Sequence, residues 1–172
     1  WILLYCFNRS KVNTDPEPSN WPSVTFLVPG YNEEEYVEEC LESLLGQKYP
    51  SDKLEIIAIN DGSTDSTLEK MKKYKDQIQI VDKKNSGKAS SLNYALERVD
   101  TEIVGCMDAD SFPEKDFVRN MVGYFEQQDV KGVTPAMKVL NPQTWPQKIM
   151  WAEFIYNVLR SEEHTSELQS LS

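Results

Sequence analysis

Apolar residues recur along this chain in two alternating patterns from Val24 onward. One pattern is a short apolar run typical of a buried strand, and the other is a spacing of three and four residues that marks one face of a helix. The predicted strands are VTFLVP, LEIIAIN, IQIVDK and EIVGCMD. The predicted helices carry apolar stripes over 36–45, 68–74, 92–99 and 117–125. This alternation predicts an α/β fold with a mostly parallel sheet and helices on both faces.

Three further features have weaker patterns. Ser66 and Glu69 have the spacing of a capping box at the start of the second helix. A fifth strand is predicted over GVTPAMKVL, although Pro135 weakens it or places it at an edge of the sheet. A last helix over residues 144–159 is apolar on nearly all sides.

The amino-terminal end does not fit this pattern. WILLYCF is apolar but much shorter than the ~20 residues that cross a bilayer. Arg9 and Lys11 lie beside it, as at the cytoplasmic end of a membrane helix. We therefore interpret residues 1–9 as the end of a truncated transmembrane helix, with a packing strand as the alternative. Residues 10–23 are rich in Pro, Ser, Asn and Asp, which indicates a linker.

The carboxyl-terminal stretch RSEEHTSELQS, residues 160–170, resembles the in-frame translation of a sequencing-library adapter. We exclude residues 160–172 as an artefactual tail, which leaves 24–159 as the folded domain. The only histidine of the chain, His164, lies in that tail, so mechanisms that need histidine are excluded. The net charge of −10 argues against a nucleic-acid partner, because neutralising phosphates needs a basic surface.

The loops that follow the predicted strands carry the candidate chemistry. They are PGYNEE, NDGSTD, KKNSGKAS and DADS, in chain order. Each loop alone is weak evidence, because Gly and Asp are also common turn residues. In a parallel sheet, however, ligands bind beyond the carboxyl ends of the strands, so the four loops are expected at one edge. Together they would bring an aromatic ring, several carboxylates and a lysine to that edge.

Asp108 and Asp110 follow the fourth strand with one residue between them. Residues i and i+2 of an extended segment point to the same side, so both carboxylates can face one ligand. Two hard oxygen ligands suit Mg²⁺ or Mn²⁺, which complete their shells with water and phosphate oxygens. In the competing interpretation, Asp110 or Ser111 caps a helix that begins near Pro113. Capping leaves Asp108 without a role, which favours the metal site.

Three other side chains are candidates for binding a nucleotide. Lys88 begins a helix, where its cation and the free backbone N–H groups together favour a phosphate. Tyr31 can stack on a base, and Asp61 can accept a hydrogen bond from the N–H of a uracil ring. The competing interpretations are a solvated surface lysine, a tyrosine at the edge of the core and an aspartate in a turn.

Four ordered segments resemble the motifs of family 2 glycosyltransferases of the GT-A fold. They are VTFLVPGYNEEEYVEECLESLLGQKYP, LEIIAINDGSTDST, NSGKASSLNYAL and CMDADSFPE. More narrowly, they resemble the membrane-embedded processive synthases of poly-N-acetylglucosamine, chitin, hyaluronan and cellulose. The resemblance covers 24–159 and implies a GT-A, Rossmann-like nucleotide-sugar-binding domain that is truncated before its acceptor half.

The resemblance also implies roles for individual residues. Tyr31 would pack against the uracil of a UDP-sugar, Asp61 would pair with the uracil N–H, and Lys88 would hold the diphosphate. Asp108 would contact the ribose or the metal, and Asp110 would bind the metal that bridges the diphosphate. The full donor-binding set is Pro29, Tyr31, Glu33, Asp61, Lys88 and Asp108, and the metal ligands are Asp108 and Asp110.

The implied reaction is the inverting, metal-dependent transfer of a sugar, an N-acetylhexosamine or glucose, from a UDP-sugar to a growing polysaccharide or another glycan or lipid-linked acceptor. Bound Mg²⁺ or Mn²⁺ and Lys88 would stabilise the charge on the departing UDP. In the family the general base lies in a later motif, so we expect this chain to be a donor-site fragment without turnover. The implied location is the cell membrane, through flanking helices, with this domain on the cytoplasmic side.

Other nucleotide-binding classes lack their signatures here. No Gly-x-Gly pair follows the first strand, which excludes a nicotinamide-binding oxidoreductase, and SGKAS lacks the spacing of a P-loop. The glycine-rich, Arg-containing first loop of a sugar-1-phosphate nucleotidyltransferase is also missing. A non-processive glycosyltransferase that acts on a polyprenyl phosphate and a non-catalytic nucleotide-binding module remain as alternatives.

Overall fold

The computed structural model describes residues 15–135 and residue 145. The chain divides into two compact units, Trp1–Lys131 and Gly132–Ser172. The strands and helices described below lie in the first unit. In the second unit, the described residues are 132–135, which form neither helix nor strand, and Trp145, which is helical.

Strands and helices alternate through the described part of the first unit. The strands are β1 (Val24–Gly30), β2 (Leu54–Asp61), β3 (Gln79–Lys83) and β4 (Ile103–Cys106). The helices are α1 (Val37–Leu45), α2 (Thr67–Lys72), α3 (Lys88–Leu96) and α4 (Phe117–Tyr124). The predicted alternation of strand and helix is confirmed.

The described strands form one parallel sheet in the order β3-β2-β1-β4. Val24 of β1 pairs with Leu54 of β2 on one side and with Ile103 of β4 on the other. The strand order therefore reverses beside β1, since β2 and β3 lie to one side of it and β4 to the other. In open α/β sheets, ligands bind at such a reversal, beyond the carboxyl ends of the strands.

Side chains of the strands alternate between two apolar layers, because successive residues of a strand face opposite sides of the sheet. Val24, Phe26 and Val28 pack in one layer with residues of α1, α2 and α4. Leu27 packs in the other layer with Ala95 of α3. Helices thus cover both faces of the sheet, as predicted.

Several predicted details differ in the structure. The capping box is wrong, because the Ser66 side chain makes no capping hydrogen bond at the start of α2. The fourth strand ends at Cys106, two residues before the predicted end. Most of the predicted fifth strand, most of the last helix, residues 1–9 and the tail 160–172 lie outside the described residues. No helix within the described residues is long and apolar enough to span a bilayer.

Residues 15–23, the described part of the predicted linker, make contacts with the domain. Asp15 accepts hydrogen bonds from Asn120 Nδ2 at 2.9 Å and from the Tyr124 hydroxyl at 2.8 Å. Glu126 Oε1 accepts a hydrogen bond from the backbone N–H of Ser19 at 2.7 Å. Polar residues that resemble a linker in composition therefore act here as hydrogen-bond partners of α4 and of the residues just after it.

The contact between this segment and α4 requires a glycine. A Cβ at Gly123 would lie 1.8 Å from the carbonyl oxygen of Pro16. We therefore expect Gly123→Ala to lower the free energy of unfolding by about 1–3 kcal/mol through overpacking, despite the gain in helix propensity. Urea unfolding measures this change.

Gly132→Ala is the matched control, because a Cβ at Gly132 would meet no atom within 4 Å. Equal unfolding midpoints for Gly123→Ala and the unchanged chain would contradict the docking of residues 15–23 on α4.

Candidate functional site

A cavity of about 240 Å³ lies beyond the carboxyl ends of β1 and β2 and beside the loop that follows β4. The residues that line it are Pro29, Gly30, Tyr31, Glu33, Asp61, Lys88, Asp108, Ala109 and Asp110. All seven residues predicted from the sequence as site residues are in this set. The structure thus brings them together, while their individual roles stay predictions.

A larger cleft, of about 510 Å³, lies beside the amino-terminal ends of the strands, opposite to this cavity. The predicted site residues do not line it. Its Glu55 accepts hydrogen bonds from the Thr25 hydroxyl, at 2.9 Å, and from the Gln79 side chain. Charged residues line both the cleft and the smaller cavity, but Glu55 of the cleft already accepts hydrogen bonds from its neighbours.

Asp108 and Asp110 reach the cavity by a route that differs from the predicted one. The segment is a turn rather than an extended strand end, because the backbone N–H of Ser111 donates to the Asp108 carbonyl oxygen at 3.0 Å. Ala109, between the two aspartates, is buried in the core, with 2% of its surface exposed. The buried alanine anchors the turn, so both flanking carboxylates stand exposed at the cavity.

The helix-capping alternative for this loop is wrong. Helix α4 begins at Phe117 and its N-cap residue is Asp116. Asp110 and Ser111 therefore lie too far along the chain from the first turn of α4 to cap it. The two carboxylates at the cavity need another explanation.

Negative charge accumulates around the loop of Asp108 and Asp110. The pKa of Glu33 is raised by burial and then by the charges of Asp110, Asp108 and Asp65. A neighbouring cation would offset this repulsion. The electrostatics of the cavity therefore favour a positively charged ligand or counter-ion between these carboxylates.

Lys88 supplies a positive charge beside Asp108. Its ammonium donates to Asp108 Oδ1, with 59% of the lysine side chain and 56% of the aspartate side chain exposed. Exposed ion pairs of this kind contribute little stability because water screens them. The pair can therefore open at low cost when a ligand takes its place.

The carboxylates at the cavity could supply some, but not all, of the ligands of a hard divalent cation. Among the described residues, no group of three or more His, Cys, Asp and Glu side chains is arranged to hold a metal ion. Asp108 and Asp110 could supply two carboxylate ligands, and Mg²⁺ and Mn²⁺ commonly take their remaining ligands from water and substrate phosphates. A bound cation would therefore depend on a phosphate ligand.

Asp61, at the end of β2, is buried, with 4% of its surface exposed. Its Oδ1 accepts hydrogen bonds from Lys83 Nζ at 2.5 Å and from the Ser86 N–H at 3.0 Å. Its Oδ2 accepts one from the Gly87 N–H at 2.8 Å. Burial alone raises the pKa of Asp61, but the hydrogen bonds from Lys83, Ser86, Ser91 and Gly87 outweigh it and hold the pKa below 3.8. Asp61 is therefore a carboxylate at neutral pH.

Two glycines allow the loop before α3 to close over Asp61. Gly62 has a φ of +71°, and a Cβ there would lie 2.6 Å from the backbone nitrogen of Asn85. Gly87 has a φ of +88° and precedes Lys88 at the start of α3. Positive φ values favour glycine because they bring a Cβ too close to the backbone. The two positions bring the amino-terminal turn of α3 against the end of β2.

The loop of Tyr31 is held by the loop after β2, a relationship that the sequence patterns did not reveal. Asn32, with a φ of 58°, accepts a hydrogen bond from the Thr64 N–H at 2.8 Å. The Glu33 N–H donates to the Thr67 hydroxyl at 2.8 Å. Tyr31 itself keeps 49% of its surface exposed. Most of NDGSTDST thus braces the neighbouring loop, which leaves the Tyr31 ring free to contact a ligand.

Proteins of similar sequence have been described as glycosyltransferases. Poly-beta-1,6-N-acetyl-D-glucosamine synthase of Staphylococcus aureus (strain COL) is 36% identical over 157 residues, which cover 88% of this chain and 37% of that protein. An uncharacterized glycosyltransferase of Haemophilus influenzae is 39% identical over 114 residues, which cover 64% of this chain and 35% of that protein. The chain thus spans little more than a third of the length of these curated relatives.

Two solved structures resemble the fold. The mannosyltransferase PcManGT from Pyrobaculum calidifontis, in complex with GDP-Man and Mn²⁺, has a TM-score of 0.64 and 32% identity, covering 75% of this chain and 41% of that one. S. aureus TarS in complex with UDP-GlcNAc has a TM-score of 0.58 and 27% identity, covering 67% of this chain and 38% of that one. The sequence model described as Glycosyl transferase family 2 matches residues 25–170. The chain therefore belongs to the family 2 glycosyltransferases, and its parallel sheet with helices on both faces matches the GT-A fold of these neighbours.

Proposed function

We propose that this chain binds a UDP-sugar together with Mg²⁺ or Mn²⁺ and forms the donor-binding portion of an inverting, metal-dependent glycosyltransferase. The observation that carries the proposal is the convergence of the seven predicted residues on one cavity of about 240 Å³. That volume suits part of a nucleotide-sugar at an open cleft rather than a fully enclosed ligand.

The diphosphate end of the donor would lie beside Asp108 and Asp110. These two residues would hold the divalent ion, which when bound neutralises charge on the diphosphate and on the departing UDP. Lys88 would leave its exposed pair with Asp108 and donate to the phosphate oxygens instead. The raised pKa of Glu33, caused by burial and then by the charges of Asp110, Asp108 and Asp65, supports a cation at this end of the cavity.

The uracil end of the donor would lie between Tyr31 and Asp61, with Pro29 beside it. The exposed ring of Tyr31 offers a face for stacking. The Asp61 carboxylate lines the cavity and is held ionised by hydrogen bonds, so it can act as an acceptor there. Asp61 would accept a hydrogen bond from the N–H of a uracil ring.

The comparisons support an N-acetylhexosamine donor over glucose. A relative is described as a poly-N-acetylglucosamine synthase, and TarS has been solved with UDP-GlcNAc. The same relative supports a growing polysaccharide as the acceptor of the whole protein. A membrane location with this domain on the cytoplasmic side is proposed from the apolar start of the chain and the basic residues beside it.

Removal of a metal ligand should abolish the metal dependence of donor binding. We expect Mn²⁺ to tighten UDP binding to the chain, and Asp110→Asn to weaken binding in Mn²⁺ by at least about tenfold because one hard ligand is lost. Isothermal titration with UDP, with and without Mn²⁺, measures both affinities.

Asp52→Asn is the matched control, since it removes the same charge at the larger cleft. UDP affinity that does not depend on Mn²⁺, or equal UDP affinities of the two variants in Mn²⁺, would favour a non-catalytic nucleotide-binding module.

Loss of the Tyr31 ring should weaken the contacts to the base of UDP and leave the contacts to the diphosphate unchanged. Stacking of a base on an aromatic ring is worth about 1–3 kcal/mol, so we expect Tyr31→Ala to weaken UDP binding about tenfold and Tyr31→Phe to preserve it. Inorganic diphosphate, which lacks a base, should bind all three chains alike. An equal loss for UDP and diphosphate would place Tyr31 outside the base site.

The chain alone should bind donor without transferring its sugar. We expect no UDP release above background when the purified chain is incubated with UDP-GlcNAc, Mn²⁺ and an N-acetylglucosamine oligosaccharide, because the general base is expected in a later motif of the family. Detectable transfer would refute this expectation, and transfer to a polyprenyl phosphate would favour the non-processive alternative.

A further inference from the structure

Lys83 makes an unusual set of contacts next to the cavity that the proposed function does not use. It is the last residue of β3 and pairs in register with Asp61, the last residue of β2. Its side chain is 15% exposed, and its ammonium lies 2.5 Å from Asp61 Oδ1. Lysine is seldom buried without a partner, because desolvating its charge is costly. The pair therefore joins the ends of two neighbouring strands directly behind the cavity.

The same ammonium reaches the elements that carry Lys88. It donates to the hydroxyl of Ser91, at 3.2 Å, and to the hydroxyl of Ser86. Ser91 is fully buried in the second turn of α3, and Ser86 lies in the loop before it. Lys83 thus fixes one oxygen of Asp61 and the start of α3 in a single cluster.

The cluster determines which oxygen of Asp61 is available at the cavity. Oδ1 accepts hydrogen bonds from Lys83 and the Ser86 N–H, and Oδ2 accepts one from the Gly87 N–H, so Lys83 acts on the oxygen other than Oδ2. Asp61 is a lining residue of the cavity and Lys83 is not. Lys83 would therefore act on a bound base through Asp61 rather than by direct contact.

Resting on the proposed function, we infer that Lys83 is a positioning residue that sets the preference for uracil, by holding Asp61 as an ionised acceptor with Oδ2 directed at the base. Uracil carries an N3–H that a carboxylate accepts, whereas cytosine presents an unprotonated N3 at the same position, which a carboxylate repels. Without the ammonium, Asp61 would be a buried charge without a counter-ion and would take up a proton or turn away. Either change removes the feature that distinguishes the two bases.

The test compares the affinities of UDP and CDP for the full chain in Mn²⁺ by isothermal titration. A site built to accept the uracil N–H should prefer UDP by about tenfold or more. We expect Lys83→Met to bring the ratio of the two dissociation constants close to one, and Lys83→Arg, which keeps the charge, to preserve it. Lys84→Met is the control, because Lys84 is the exposed neighbour and should leave the ratio unchanged.

A second comparison keeps the test valid if Lys83→Met fails to fold because Asp61 is left without its partner. Asp61→Asn and the double variant Asp61→Asn with Lys83→Met should share one UDP-to-CDP ratio, because Lys83 acts only through the carboxylate. A difference between these two, or an unchanged ratio in Lys83→Met, would overturn the inference.

Failure of the proposed function gives a separate result. If the unchanged chain binds neither UDP nor CDP, the cavity is not a donor site and the role of Lys83 falls with it. If the unchanged chain prefers UDP and Lys83→Met weakens both nucleotides equally, the donor site stands and Lys83 is only structural.

Discussion

The accumulation of carboxylates at one edge of a parallel sheet is the constraint on which this structure depends. The carboxyl ends of β1 and β2, together with the loop after β4, bring Glu33, Asp108 and Asp110 to one cavity. Burial and this neighbouring charge raise the pKa of Glu33, while Lys88 offsets part of the charge through an exposed pair. An arrangement that repels itself and is only weakly compensated is suited to a cationic ligand.

Hydrogen bonds hold the remaining loops of the site in place despite this repulsion between carboxylates. Asp61 is stabilised by Lys83 and by two backbone N–H groups, and Asn32 is held by Thr64. Such contacts orient the loops without occupying the cavity. The site thus combines a rigid side around Asp61, which we propose recognises a base, with an exposed side around Asp108, which we propose binds a metal and phosphates.

The strands and the helices follow from the sequence because burial imposes periodicity. Val37, Cys40, Leu41 and Leu44 recur at helical spacing and are all buried in α1. The rule that parallel strands end at one edge brings the four loops together, and the resemblance to the family indicated the individual residues within them.

Contacts between loops could not be predicted in the same way. The bond from the Glu33 N–H to Thr67 joins residues 34 positions apart, and no local pattern records it. The turn at Asp108 depends on the burial of Ala109 in a tertiary core, which overrides the extended geometry inferred from spacing. The docking of residues 15–23 was missed for a related reason, since Pro, Ser, Asn and Asp have the same composition in a free linker and in a segment bound to α4.

Locating a metal ion directly tests the central claim that the aspartate pair binds a cation and, through it, a diphosphate. Crystals of the chain grown with UDP and MnCl₂ can be measured at the manganese absorption edge. The account predicts an anomalous peak within about 2.2 Å of an oxygen of both Asp108 and Asp110 and of the UDP diphosphate. A uridine bound in the cavity with no manganese between these carboxylates, or a manganese bound elsewhere on the chain, would contradict it.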